Sequence, residues 1–310
     1  MGVKSEFARK FELLQFIPRF ALEELAEKHG VKKSGSIEDL RKRLAEVVKY
    51  EVVEDVYEKF EDAGNVTIHL FKFDKGNVSR LRDESVLRGL LREYGMEDVF
   101  KSRKEFKVTE TPRIVFIDYA DKDKEKIKIK LEFRGPFVVR RDADTRKLIK
   151  FSPLLHGVVV IHVDSGLVEA RIRSRKFATL ICEKVSEYFN NGSYEFVDFS
   201  EEEVEEIIKW GKTLRNAILK PLGGGISSLR LTASKGSDLR HERAYREVDK
   251  LVGECMRTGI YIQFDYKYDE KVRTVGFQIN TRYGKIFFKT YVSEEEIDYV
   301  LSKIKEIKGY

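Results

Sequence analysis

The stretch GVVVIHVDSGLVEARIRSRKFATLICEKVSEYF, residues 157–189, decides the fold. Apolar, β-branched runs flank Asp164-Ser165-Gly166, and the glycine can adopt the positive φ that a tight turn requires. The pattern predicts a hairpin of strands Gly157–Ile161 and Leu167–Ile172, followed by a helix that reaches Phe189. The stretch is therefore a strand–turn–strand–helix unit.

A second stretch, about 115 residues later, has the same order of elements. Strand Arg273–Ile279 leads into a turn at Arg282-Tyr283-Gly284, and strand Lys285–Tyr291 precedes a helix over Glu294–Ile307. Two explanations remain open: an internal duplication, or two ordinary hairpin–helix units that converged on one pattern.

Upstream of the first unit, the chain begins with helical periodicity and then changes to alternation. Ser36 is predicted to cap the third helix, with Asp39 closing a capping box. The predicted helices and strands before residue 157 are Lys4–Leu14, Phe20–His29, a helix through Leu40 and Val48, Val52–Phe60, strand Val66–Phe73, helix Val86–Tyr94, and strands 114–117 and 127–133. The last strand alternates Ile with Lys, which predicts one wet, basic face.

Between the two units, Ser200 is predicted to cap a helix over Glu201–Leu219. Gly223-Gly224-Gly225 follows; it lacks the Gly-Lys-Ser/Thr ending of a phosphate loop, so we interpret it as a hinge or linker. The prediction is an α+β protein with a largely antiparallel sheet, divided into a helical module (1–64), a first sheet and helix half (65–222) and a second half (223–310).

Charge is abundant and unevenly distributed. Charged residues make up 36% of the 310 residues, and the net charge is +6. Residues 101–150 hold 16 basic against 9 acidic side chains, a local excess of 7. Such a concentration favours a polyanionic partner, although a solvated face gives the same pattern. Many charges with only three glutamines also indicate a thermophile.

Several classes of protein are not supported by the sequence. No run of about 18 apolar residues predicts a membrane span, and the first residues do not resemble a secretory signal. Two cysteines and five scattered histidines show no metal-ligand spacing. We therefore expect a cytoplasmic protein, nucleoid-associated in a prokaryote, with no metal ion and no cofactor.

Residues 22–44 resemble the SAP motif, which pairs two short helices across a glycine-containing turn and binds DNA. The resemblance implies phosphate contacts from the turn at Lys32 and Lys33, and from Arg41, Lys42 and Arg43 one turn later. Residues 1–60 hold 12 basic and 12 acidic side chains, so this module is neutral. A helix-turn-helix that serves only packing has the same pattern.

A wider resemblance is to the CENP-N family of kinetochore proteins. It rests on Ile17-Pro18, on Leu22 with Leu25, on residues 41–48 and on Asp55-Val56-Tyr57-Glu58-Lys59-Phe60. It implies a death-fold-like helical module, then a curved sheet related to the TATA-binding-protein fold, and recognition of DNA or chromatin. The family is basic just before Ile-Pro, whereas this chain has Glu12-Leu13-Leu14-Gln15-Phe16.

The sharpest basic cluster of the body is the run Arg171-Ile172-Arg173-Ser174-Arg175-Lys176. Strand alternation would place Arg171, Arg173 and Arg175 on one side, where planar guanidinium groups suit phosphate. Arg140, Arg141 and Arg146-Lys147 would extend this patch if the sheet brings them together. Salt bridges to acids on a neighbouring strand are the alternative.

The leading function is therefore non-enzymatic DNA binding or association with chromosomes. The first alternative is a Mg²⁺-dependent nuclease, because Asp164 and Glu169-Ala170-Arg171 flank the hairpin turn much as metal-binding acids do in nucleases. The second alternative is a protein–protein scaffold that binds its partner through the sheet or its edge.

Overall fold

The computed structural model describes residues 5–141, 146–221, 227–251, 255–268 and 271–310. The predicted α+β class is confirmed, because helices combine with one large, largely antiparallel sheet. The triple glycine at 223–225, which we predicted to be a hinge or linker, lies outside the described residues.

Helices form the front of the chain, a long helix follows each of the two predicted hairpins, and four shorter helices lie between the strands in the part of the chain that the structure describes. In chain order they are α1 (Glu6–Leu14), α2 (Arg19–Lys28), α3 (Ile37–Val47), α4 (Tyr50–Glu61), α5 (Lys75–Ser79), α6 (Glu84–Glu93), α7 (Arg175–Tyr188), α8 (Glu201–Trp210), α9 (Arg243–Leu251) and α10 (Glu294–Lys308).

The strands begin directly after the helical module. In chain order they are β1 (Thr67–Phe73), β2 (Arg113–Tyr119), β3 (Lys126–Arg134), β4 (Val138–Arg141), β5 (Leu148–Phe151), β6 (Leu154–His162), β7 (Leu167–Arg171), β8 (Tyr194–Phe196), β9 (Thr213–Pro221), β10 (Leu229–Thr232), β11 (Cys255–Tyr268), β12 (Lys271–Asn280) and β13 (Lys285–Phe288).

Contacts divide the chain into two compact units. Unit 1 combines residues 1–66 with 263–276 and 288–309, and unit 2 combines 67–262 with 277–287 and Tyr310. This division does not follow the predicted segments 1–64, 65–222 and 223–310. The reason is that residues 263–276 and helix α10 belong to the same unit as the helical module although they lie more than 190 positions later in the sequence.

Unit 1 contains the helical module, whose local signals were predicted from sequence. Ser36 Oγ accepts a hydrogen bond from Asp39 N at 3.1 Å and Asp39 Oδ2 accepts one from Ser36 N at 3.2 Å, so the capping box is confirmed. Leu14, Leu22 and Leu44 are fully buried in its core. Tyr266 of β11 packs against the same core.

Unit 2 is built on an 11-stranded sheet in the order β10-β9-β11-β12-β13-β1-β7-β6-β3-β2, with β8 also paired to β1. Helix α7 packs against β1, β6 and β7. Along β3, Ile127, Ile129 and Leu131 are buried, whereas the lysines between them are half-buried. The predicted basic face of this strand is therefore present, but it is only partly exposed.

Both predicted hairpin–helix units are present in the structure, as β6–β7–α7 and β12–β13–α10. Their hairpins lie on opposite sides of β1, which pairs with β7 on one edge and β13 on the other. The turn glycines have matching roles: Gly166 O accepts from Phe73 N at 2.8 Å, and Gly284 O accepts from Leu70 N at 3.0 Å. In each hairpin, therefore, the carbonyl oxygen of the turn glycine accepts a hydrogen bond from a backbone N–H of β1.

One predicted helix was too long. Helix α8 ends at Trp210, and residues 213–219, which we assigned to it, belong to strand β9. Gly211 separates the two elements: a Cβ atom there would lie 2.1 Å from Ile262 Cγ2, so the chain passes too close for a side chain. Pairing of β9 with β10 then fixes the strand, and this pairing is not visible in the local sequence.

Candidate nucleic-acid interface

The hairpin of β3 and β6 continues beyond the large sheet as a separate two-stranded ribbon, β4–β5. Arg134 pairs with Leu154 at the last position of the sheet, and Val138 pairs with Phe151 at the first position of the ribbon. Three residues on one strand thus face two on the other, which shifts the register by one residue.

This junction, residues 135–137 and 152–153, forms a neck that ends the sheet. It holds Pro136 and Pro153, two of the five prolines in the chain, and proline has no N–H to donate to a ladder. A few bonds hold it together: Gly135 N donates to Pro153 O at 2.8 Å and Ser152 Oγ donates to Gly135 O at 2.5 Å. The ribbon is therefore anchored at a defined point.

Every residue of β4 and β5 is exposed. The exposed fractions of the apolar side chains are large, at 70% for Leu148, 63% for Phe137 in the neck and 62% for Val139. Two-stranded hairpins are marginally stable alone, and clustered exposed apolar side chains mark interaction surfaces. The ribbon thus has the character of a binding element rather than of a core element.

The two faces of the ribbon differ in exposure. Val139 pairs with Lys150 and Arg141 pairs with Leu148, so these four side chains share one face. Phe137 joins them, because Lys150 Nζ lies 4.8 Å from the centre of its ring. We call these five residues the outer face; the inner face consists of Val138, Arg140, Ile149 and Phe151. The apolar residues of the inner face are less exposed, at 39–44%.

Positive charge dominates the sequence of the ribbon, from Phe137 to Phe151. Residues 137–151 contain five basic and two acidic side chains, a net charge of +3. Both acids, Asp142 and Asp144, lie between the two strands in the sequence, and the strands contain none. Within the described part of the chain, neither Arg140 nor Arg141 forms an ion pair. The ribbon combines cations with apolar side chains on both faces.

The prediction that Arg171 belongs to the exposed basic patch is wrong. Strand β7 ends at Arg171, whose side chain is 2% exposed, and Arg171 Nη2 lies 2.9 Å from Glu169 Oε2. On its other oxygen, Glu169 is 2.7 Å from His162 Nε2. Alternation assigned Arg171 to a face of the strand but could not show that this face is covered. This arginine is therefore part of a buried polar triad with Glu169 and His162.

The same triad removes the geometric support for a nuclease at Asp164 and Glu169. Burial alone would raise the pKa of the Glu169 carboxyl, but the Arg171 charge and the His162 hydrogen bond outweigh it and lower the pKa to about 2. The carboxylate is ionised, yet it is fully buried and both oxygens have partners. Across the described ranges, no group of three or more His, Cys, Asp or Glu side chains is arranged to hold a metal ion.

The remaining members of that cluster, Arg173, Arg175 and Lys176, are exposed, but they do not share a strand face. The strand has ended, and Arg175 and Lys176 open helix α7. The Arg175 guanidinium lies 3.7 Å from the ring centre of Tyr283 and 4.9 Å from that of Phe196. These stacking contacts fix its position and leave a basic surface at the start of the helix.

In the SAP-like turn, two of the predicted arginines bind the module's own backbone. Arg41 Nε donates to Leu14 O at 3.0 Å, and Arg43 Nη2 donates to Ser34 O at 2.6 Å. Lys33 pairs with Glu27 at 2.7 Å. Lys32 and Lys42 are exposed. The structure therefore gives Arg41 and Arg43 a role in shaping the module.

Arg140 and Arg141 were predicted from the sequence, but the ribbon itself and its apolar side chains were not. The signal was available in residues 137–151, FVVRRDADTRKLIKF, where two short β-prone runs flank a polar turn. What the sequence did not reveal is that the register shift at the neck separates these runs from the sheet.

Among the described residues, none of the helices has the length and apolar character needed to cross a membrane. No protein-family model and no curated protein sequence matches the chain.

Proposed function

We propose that this protein binds duplex DNA without cleaving it, and that the ribbon β4–β5 is the main contact. The observation that carries the proposal is the ribbon itself: a wholly exposed pair of strands with three cationic side chains and no acid on either strand. A two-stranded ribbon has the dimensions to contact a DNA groove.

Charge supports a nucleic-acid partner. The two strands of the ribbon carry three cationic side chains, Arg140, Arg141 and Lys150, and all three are exposed to solvent. The ribbon also lies in the part of the chain with the largest basic excess. Attraction to phosphate and release of counterions would both favour binding to DNA. Lys126, Lys128 and Lys130 lie on β3 of the same long hairpin and add to the local positive potential.

The sequence resemblances support the same proposal. A SAP-like turn would add phosphate contacts from Lys32 and Lys42, which are exposed. A CENP-N-like order of a helical module and a sheet, with a sheet related to the TATA-binding-protein fold, would fit a chromosome-associated role. The exposed Arg173, Arg175 and Lys176 would provide a further basic surface.

The proposal is tested by fluorescence anisotropy with a labelled duplex across a series of salt concentrations. We expect affinity to fall steeply as salt rises. The triple variant Arg140→Ala, Arg141→Ala, Lys150→Ala should lose at least about tenfold in affinity and show a shallower salt dependence, because ribbon cations meet the DNA.

A charge-matched control is Arg92→Ala, Arg243→Ala, Lys303→Ala, which removes three helical cations that are paired with Glu97, Glu247 and Glu306. It should bind nearly as the wild type does. Equal losses in both triple variants would show that only total charge matters, and absence of binding at low salt would refute the proposal. Mg²⁺ added to the same samples should leave the DNA intact.

A further inference from the structure

We infer that the outer face of the ribbon enters the major groove and recognises thymine methyl groups there. This inference rests on the proposed function and goes beyond it, because contact with phosphate alone requires cations but no apolar side chains. The outer face presents both: Val139 and Leu148 lie on one diagonal, and Arg141 and Lys150 lie on the other.

The dimensions of the ribbon favour the major groove. Neighbouring strands lie about 4.8 Å apart, and side chains project from both faces of the pair. The major groove of B-form DNA is about 12 Å wide and admits a two-stranded ribbon, whereas the minor groove is only about 6 Å wide. The outer face, with Val139 62% and Leu148 70% exposed, is the one open to such a groove.

The side chains of this face match what the major groove displays. Thymine presents its C5 methyl group there, which suits Val139 and Leu148, and guanine presents two acceptors that suit Arg141. The Nζ atom of Lys150 lies 4.8 Å from the centre of the Phe137 ring. This cation–π contact holds the charge of Lys150 on the outer face. Arg140 lies on the inner face, on the opposite side of the ribbon.

Two other occupants fit the ribbon less well. A second copy of the chain would bring together two ribbons of net charge +3, which repel each other. An anionic membrane surface suits an element with one apolar face and one basic face. Here each face of the ribbon carries both kinds of side chain, and the cations on the outer face alternate with the apolar groups.

The test compares an alternating dA–dT duplex with the same duplex in which every thymine is replaced by uracil, which removes only the major-groove methyl group. The wild-type protein should bind the thymine duplex about fourfold more tightly for each methyl group covered. The outer-face variant Val139→Thr, Leu148→Thr should lose this difference. Its matched control on the inner face, Val138→Thr, Ile149→Thr, should keep it.

The outcomes separate the inference from the proposed function. Salt-dependent binding with equal affinity for both duplexes would overturn the inference and leave DNA binding intact. Displacement of the protein from the duplex by netropsin, a minor-groove ligand, would have the same meaning. No binding to either duplex would overturn both. Binding of the ribbon to phosphatidylserine vesicles in place of DNA would also overturn both and identify a membrane surface as the partner.

Discussion

At the residue scale, Glu169 resembles a catalytic acid in the sequence but contributes to the stability of the fold. Its carboxylate is fully buried between His162 and Arg171, and removal of the Glu169 or the Arg171 side chain would leave the charge of the other without compensation. Breaking a buried ion pair in this way costs about 3–5 kcal/mol in stability. The Glu169 carboxylate, which suggested Mg²⁺ binding from the sequence, therefore stabilises the fold instead.

We predict that Glu169 makes unfolding sensitive to acid. Its pKa is lowered from 4.5 to about 2 in the folded state, so its stabilising contribution is complete above pH 4.5 and is lost as pH falls toward 2. The contribution is about 3 kcal/mol. Urea unfolding between pH 5 and pH 2 should therefore show a correspondingly smaller fall in the free energy of unfolding for Glu169→Gln than for the wild type.

A double variant controls for the unpaired charge that Glu169→Gln leaves on Arg171. With Glu169→Leu and Arg171→Met together, neither position leaves an unpaired charge, so part of the stability lost in Glu169→Gln at pH 7 should return. A wild-type acid dependence in Glu169→Gln would show that other carboxyl groups dominate acid unfolding.

At the element scale, the two hairpins depend on glycine for the same two reasons. Gly166 and Gly284 have positive φ values of 76° and 51°. A Cβ atom at Gly166 would lie 2.6 Å from Phe73 O, and one at Gly284 would lie 2.4 Å from Val197 O. Both turns are therefore strained by any side chain and also have no room for one.

We predict that Gly166→Ala and Gly284→Ala each destabilise the protein by about 3 kcal/mol or more, because backbone strain and a clash with a carbonyl oxygen add together. The control is Gly192→Ala in the same unit, where φ is 81° but no atom lies within 4 Å of the added Cβ. It should cost only the strain, about 1 kcal/mol. Chemical denaturation of the three variants measures this difference, and equal losses would contradict it.

These elements also show how far sequence can predict such a fold. Turn glycines, the Ser36 cap and apolar periodicity are local signals, so the hairpin–helix units and the helical module were predicted correctly. Strand β9 was missed because it is fixed by pairing with β10. Arg171 was misplaced because alternation assigns a side chain to a face and says nothing about what covers that face.

The candidate site follows the same rule. Arg140 and Arg141 were found from composition, since a basic excess is visible in a linear sequence. The separation of the ribbon from the sheet depends on a one-residue register shift between two distant strands, and only the paired structure reveals it. The proposed function therefore rests on arginines that the sequence indicated. The exposed ribbon that carries them was not predicted.

At the scale of the whole molecule, charged residues form many short-range pairs on the helices, such as Arg19 with Glu23 and Arg88 with Glu84. Single exposed pairs contribute little at room temperature, but their desolvation cost falls as temperature rises. We predict a melting midpoint above about 80 °C, beyond the range of about 45–65 °C for mesophile domains. A calorimetric midpoint within that mesophile range would refute the thermophile hypothesis.

Strand β1 has a consequence for how the chain reaches this structure. Its residue His69 pairs with Ala170 on one side and with Lys285 on the other, and the latter is 285 − 69, or 216, residues later. At about 5–20 residues per second, a ribosome needs about 10–40 s to make that interval. During that time one edge of a largely apolar strand is without its final neighbour, so the nascent chain needs protection from aggregation until strand β13 has been synthesised.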